Sequence, residues 1–178
     1  MVWDINLKKA ALLVCTSIIC ILIVSLIPKE GIIENAVVNS ENGDIAISYV
    51  DYSYRTPLQV IDVFDKNGEK LFSESFFHSD GAVSMLFYEG ALCICFGKST
   101  KEKHIFDRNG NPAERIITIK QIEERTAFQD WEFSFGKRMY TYGEYTYRYD
   151  APTIFKHKSK VSIINGENEI IIYSSPES

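Results

Sequence analysis

The densest chemistry in the chain lies in the stretch MYTYGEYTYRY, Met139 to Tyr149. If Gly143-Glu144 forms a two-residue hairpin turn, Tyr142 pairs with Tyr145 and Tyr140 with Tyr147. Side chains alternate between the faces of a strand, so all four rings share one face, with Tyr149 just beyond. Met139, Thr141, Thr146 and Arg148 take the opposite face. Tyrosine offers a flat apolar body with a polar tip. This face, with Trp131 nearby in sequence, is therefore a candidate ligand-binding platform on which sugar rings or peptide aromatics stack. The competing expectation is that the same face packs against the core, as the apolar side of a half-buried strand normally does.

Four acids, Asp130, Glu132, Glu144 and Asp150, fall close to these tyrosines. Paired carboxylates hydrolyse glycosides when held about 5 to 10 Å apart, so a glycosidase-like hydrolase is the alternative to a binding module. The chain has no G-x-S-x-G elbow, no H-E-x-x-H and no glycine-rich phosphate loop. Asp65 and Asp107 each open a D-x-N-G segment that invites a calcium reading. An EF-hand loop needs its glycine at the sixth position, however, and here Gly68 and Gly110 stand at the fourth. A hairpin turn in which the Asp or Asn side chain bonds its own backbone accounts for both copies. His78, His104 and His157 sit in separate segments without ligand spacing. Cys93 and Cys95 share one strand and one face about 7 Å apart, at the limit of a disulfide, and read as buried small hydrophobes. No catalytic residue, metal site or cofactor is assigned.

The elements that must position these residues are short apolar runs punctuated by glycine. Asn-Gly occurs at Asn42-Gly43, Asn67-Gly68, Asn109-Gly110 and Asn165-Gly166, and Glu89-Gly90 adds a further turn signal. The runs between them are rich in Ile, Val, Phe and Tyr, which predicts an all-β domain of antiparallel strands. An internal repeat runs through it. VIDVFDKNGEK and KHIFDRNGN place Phe64-Asp65 and Phe106-Asp107 at the same point, 42 residues apart. NSENGDIAISY, LFYEGALCICF and INGENEIIIY each read as a turn followed by an apolar strand ending in an aromatic.

Repeats of this length resemble β-propeller blades in general, over about residues 35 to 119 and again near 153 to 173. The resemblance implies about three blade-like repeats, fewer than the four to eight that close a ring, and no WD or kelch signature accompanies them. An incomplete propeller, an open stack, a β-sandwich-like meander, or blades completed in an oligomer are the architectures it leaves. Residues 111 to 130 break the pattern. Asn111, Pro112 and Glu114 permit a helix start, but Ile117 and Ile119 alternate with Thr118 and Lys120, so a strand to Ile119 followed by a short helical turn or loop is expected.

Ahead of the β-domain lies AALLVCTSIICILIVSLI, residues 10 to 27, without one charge. As a helix it would be about 27 Å long, close to the hydrocarbon thickness of a bilayer. A cleaved signal peptide would end in small residues, whereas Ser25-Leu26-Ile27 ends in a bulky one followed by Pro28. Lipidation needs a small residue before the cysteine, yet Val14 precedes Cys15 and Ile19 precedes Cys20. The expectation is an uncleaved transmembrane anchor. Lys8 and Lys9 before it, against Lys29 and Glu30 after it, place the N-terminus in the cytoplasm. The organisation read from the sequence is a tail over 1–9, the anchor over 10–27, a linker over 28–35 and an extracytoplasmic β-domain over 36–178.

That domain is acidic. The chain holds 19 basic and 24 acidic residues, and residues 30 to 178 hold 16 against 23, a net of −7. That charge speaks against nucleic acid and anionic membrane faces as partners, since both are bound chiefly through surplus Lys and Arg. The function expected is a single-pass membrane protein of a bacterial envelope whose β-domain binds an envelope protein or glycan, or forms part of an envelope assembly.

Overall fold

A computed structural model describes residues 31–77, 83–96, 102–123, 128–134, 137–152 and 158–175. The stretch read as a membrane anchor, 10–27, lies outside them, and no described helix is long and apolar enough to cross a membrane. The domain is all-β, and every strand pair is antiparallel. The first sheet is the meander β1 (Ile33–Val38), β2 (Ile45–Asp51), β3 (Leu58–Phe64) and β4 (Lys70–Phe77). The second is β5 (Ser84–Tyr88), β6 (Ala91–Phe96) and β7 (Glu102–Phe106). The third is β8 (Glu132–Ser134), β9 (Lys137–Tyr142), β10 (Tyr145–Asp150), β11 (Lys160–Asn165) and β12 (Asn168–Ser174), paired in chain order.

Turn chemistry sets these pairings. Asp65 accepts the N–H groups of Asn67 and Glu69, each at 2.9 Å, and Asp107 accepts those of Asn109 at 2.8 Å and Asn111 at 2.9 Å. Hydrogen bonds from Asn111 draw the Asp107 carboxyl below its ordinary value. The carboxylates therefore close their own turns, as the D-x-N-G spacing predicts.

The first sheet lies between the other two. Ile45, Ile47 and Phe64 pack toward the third sheet, against Tyr147, Tyr149, Val161 and Ile163. Ala46, Ile61 and Val63 face the second, against Met85, Leu92, Ile94 and Phe106. A sheet covered on both faces has no solvent side, and β2 and β3 are buried along nearly their whole length, taking Ser48, Gln59 and Asp62 inside with their apolar residues. The outer face of the second sheet is covered by α1 (Ile119–Glu123) and its lead-in: Ile117 and Ile122 pack on Leu86, Cys93, Cys95 and Ile105. The outer face of the third carries charge instead. Glu169 bonds Arg148 at 2.6 Å and Lys160 at 2.7 Å, and Asp150 sits 3.2 Å from Arg148. The hydrogen bond from Lys160, ahead of the other contributions, holds the Glu169 carboxyl below its ordinary value.

One contact recurs between sheets. Gly110, in the turn after β7, lies against Phe72 of β4; Gly68, in the turn after β3, lies against Ile170 and Ile172 of β12. Both glycines have φ +82, and a Cβ on either would fall 2.7–2.8 Å from its neighbour. The turn leaving the third strand of one sheet thus nestles on the last strand of the next. A Cβ on Gly166, in the turn before the last strand of the third sheet, would meet no other segment within 4 Å.

Two expectations are corrected. The predicted strand to Ile119 is absent: after a single bridge between Phe106 and Pro112 and the bond from Ala113 N–H to the Ile105 carbonyl, residues 114–118 pair with no described strand and α1 begins at Ile119. The reason is a capping box at Thr118-x-x-Gln121, with Gln121 N–H donating to Thr118 Oγ1 at 3.2 Å and Thr118 N–H to Gln121 Oε1 at 2.8 Å. The Asn111-Pro112-Glu114 signal starts no helix. The linker read over 28–35 also gives way early, because Ile33 already pairs with Tyr49 and Gly31 N–H reaches the Val50 carbonyl at 3.1 Å.

Candidate functional site

The tyrosine hairpin forms in the expected register, with Tyr142 opposite Tyr145 and Tyr140 opposite Tyr147. Its aromatic face turns inward onto the turn and strands of the first sheet. Tyr142 Oη donates to the Glu41 carbonyl at 2.9 Å, Tyr147 Oη to the Gly43 carbonyl and Tyr149 Oη to the Ile33 carbonyl at 3.5 Å. Tyr173 of β12 joins the row, donating to the Gly31 carbonyl at 2.5 Å and lying 4.6 Å from the Tyr49 ring. Gly43 makes the close approach possible: its φ is +79, and a Cβ there would stand 2.7 Å from the Tyr142 ring.

This placement removes two residues from the stacking platform expected of the sequence. Tyr147 and Tyr149 are 0% and 5% exposed, so no ligand ring reaches their faces while the two sheets are packed, and Trp131 keeps only an edge open, at 8% exposed. Tyr140, Tyr142 and Tyr145 are half-buried, and Lys66 lies 5.5 Å from the Tyr145 ring. Burial raises the Tyr147 and Tyr173 hydroxyls above their ordinary value and pushes Tyr149 up to about 12, with Arg138 opposing. These phenols stay neutral donors at any physiological pH.

Trp131 and Tyr140, 6.2 Å apart between centroids, have a second setting. They border a cleft of about 100 Å³ where β1 of the first sheet, β5 of the second and β9 of the third come together. Asp130, Gln129 and Ser40 supply its polar groups. Burial, then the Asp130 charge, raises the Tyr140 hydroxyl. Beside the cleft, buried Asn35 ties the sheets together: its Nδ2 donates to the Val83 carbonyl at 2.9 Å and its Oδ1 accepts the Phe128 N–H at 3.1 Å. Nothing in the spacing of the sequence marks Asn35, because both partners are distant in the chain.

The four acids beside the tyrosines do not converge. Asp130 borders the cleft, exposed Glu132 projects from edge strand β8, Glu144 stands at the exposed tip of the hairpin, and Asp150 belongs to the charged outer face of the third sheet. Cys93 and Cys95 are buried thiols on the outer face of the second sheet, and burial pushes Cys93 up to about 11, which disfavours the thiolate a nucleophile needs. Among the described residues, no group of three or more His, Cys, Asp or Glu side chains is arranged to hold a metal ion. No family model, curated protein or solved structure matches this chain.

Proposed function

We propose that the chain is a membrane-anchored module whose β-domain, outside a bacterial cytoplasmic membrane, binds an envelope protein or glycan or contributes a structural part to an envelope assembly. The anchor is the uncharged run 10–27, with the N-terminus in the cytoplasm. The three sheets are three blade-like repeats, a reading supported by the matching turns at Asp65 and Asp107 and by their equivalent packing on the neighbouring sheet. They form an open stack, with α1 covering one end and a polar, ion-paired face finishing the other, as terminal units of repeat proteins require.

The observation that carries the binding reading is the cleft in which Trp131 and Tyr140 meet β1 and β5, the first strands of the first and second sheets. Of the residues singled out in the sequence, these two combine aromatic surface with nearby polar groups in a concave setting. Cross-linking of the full chain in native membranes, followed by capture, should recover an envelope protein or wall glycan. Trp131→Phe and Tyr140→Leu should weaken that capture while the thermal transition stays cooperative. Equal capture by both variants and the parent would remove the cleft as the site.

A further inference from the structure

The first and second sheets leave their third strand through matching turns and then part company. After Asp65–Gly68 the chain runs into the eight residues of β4. After Asp107–Gly110 it makes one bridge, Phe106 to Pro112, and one further bond, Ala113 N–H to the Ile105 carbonyl at 2.9 Å, before residues 114–118 lead to α1. Among the described residues, the fourth-strand position of the second sheet is therefore filled only at its first two residues.

Backbone groups of alternate residues point to the same side of a strand. Asp107 and Ile105 point theirs outward, to Asn111 and Ala113. The N–H of Ile105 and both backbone groups of Lys103 consequently face the same edge, with no partner among the described residues. A groove of about 1020 Å³ opens there. Lys103, His104, Ile105 and Phe106 all border it, although their side chains alternate between faces. Four consecutive residues share one wall only through the backbone edge of the strand. The facing wall is 112–116 and ends in Ile116, 97% exposed.

The groove carries both signs of charge. Lys103 Nζ donates to the Ile117 carbonyl at 2.9 Å and Arg115 to the Glu114 carbonyl at 2.9 Å, bonds that position the two cations without neutralising them. Glu89 and Glu114 on the rim are exposed and have no ion-pair partner among the described residues.

We propose that the outer edge of β7 is a strand-addition site, at which an extended segment of a partner polypeptide completes the second sheet as its fourth strand. Main-chain bonds to Lys103 and Ile105 continue the line begun by Ala113. Large apolar residues at alternate positions, as Phe72 and Phe76 are placed on β4, lie along Ile116 and Ile105, and a Lys or Arg in the segment meets Glu89 and Glu114. The proposal rests on the binding-module reading only in requiring a polypeptide partner, and its site is separate from the Trp131–Tyr140 cleft.

The probe is a synthetic octapeptide with the sequence of β4 carrying Glu74→Lys, added to the full chain. At a concentration about ten times its Kd, it should slow hydrogen exchange at the Lys103 and Ile105 amides about ten-fold by mass action. The same peptide N-methylated at alternate amides should have no effect, and the unaltered β4 sequence should act more weakly. Lys103→Pro, at an edge position that tolerates proline, should abolish the response while β10 and β11 keep their protection. Unchanged exchange at both amides, or equal action by the N-methylated peptide, overturns the site. If either of those results comes with an envelope protein still captured by the parent, the strand-addition site falls and the module reading stands. Peptide binding by a chain that captures no envelope partner supports the site and counts against that reading.

Discussion

Tyr147 separates a core role from a ligand platform. Tyr147→Phe keeps the ring and removes the hydroxyl that donates to the Gly43 carbonyl at a position of 0% exposure. The carbonyl is then a buried acceptor without a partner, which costs about 1–3 kcal/mol. Tyr147→Ala also deletes a ring packed among Ile45, Ile47, Val161 and Ile163, a change worth about 3–5 kcal/mol. In a chain of 178 residues each kcal/mol moves the melting temperature about 2–4 °C. The expected losses are therefore about 2–12 °C for Phe and, with both costs together, about 8–32 °C for Ala. Tyr145→Phe, at the half-buried tip of the same face, should stay within about 0.5 kcal/mol of the parent. Thermal unfolding of the full chain in detergent micelles, followed by near-ultraviolet circular dichroism, reads all three. If Tyr147→Phe melts with the parent and Tyr147→Ala melts with a Tyr145→Ala control, this face is not the seam between the first and third sheets.

Three further outcomes are expected. Gly68→Ala and Gly110→Ala should each destabilise by about 1–2 kcal/mol more than Gly166→Ala, because all three bear the positive-φ strain and only the first two meet a neighbouring strand; equal melting of the three variants would deny the recurrent turn-on-strand packing. Asn35→Ala leaves the Val83 carbonyl and the Phe128 N–H unpaired, a cost of about 2–5 kcal/mol, which urea titration should show as a lower midpoint at unchanged slope. Alkali should unfold the domain. Burial raises Cys93 from 9.0 to about 11 and Tyr149 from 10.0 to about 12, so the unfolded chain loses these protons first. The stability they contribute, about 3 kcal/mol each, is complete below about pH 9 and falls as pH rises toward about 12. Cys93→Ala should flatten the lower part of that decline, and a melting temperature constant from pH 8 to 11 would contradict both shifts.

Local chemistry is legible in the sequence. The hairpin at Gly143-Glu144, its register and its shared tyrosine face follow from a two-residue turn and the two-residue period of a strand. The Asp65 and Asp107 turns follow from the reach of a carboxylate to amides two and four residues on. The Thr118-x-x-Gln121 cap was equally local, but the Ile117–Ile119 alternation masked it.

What the tyrosine face touches was not legible, because alternation says that a face is apolar and does not name what covers it. That was decided by the stacking of the sheets, which brings the carbonyls of Ile33, Glu41 and Gly43 within reach of hydroxyls more than a hundred residues away. The same long-range packing joins Arg108 to buried Asp44 at 2.7 Å, and Asn35 to Val83 and Phe128. It also leaves the edge of the second sheet unfilled among the described residues, with Ile117 and Ile122 covering the outer face instead of prolonging a fourth strand. Sequence by itself determines what happens within about five residues, where the geometry of one turn suffices. Contacts between segments far apart in the chain depend on which faces meet, and only the folded stack determines that.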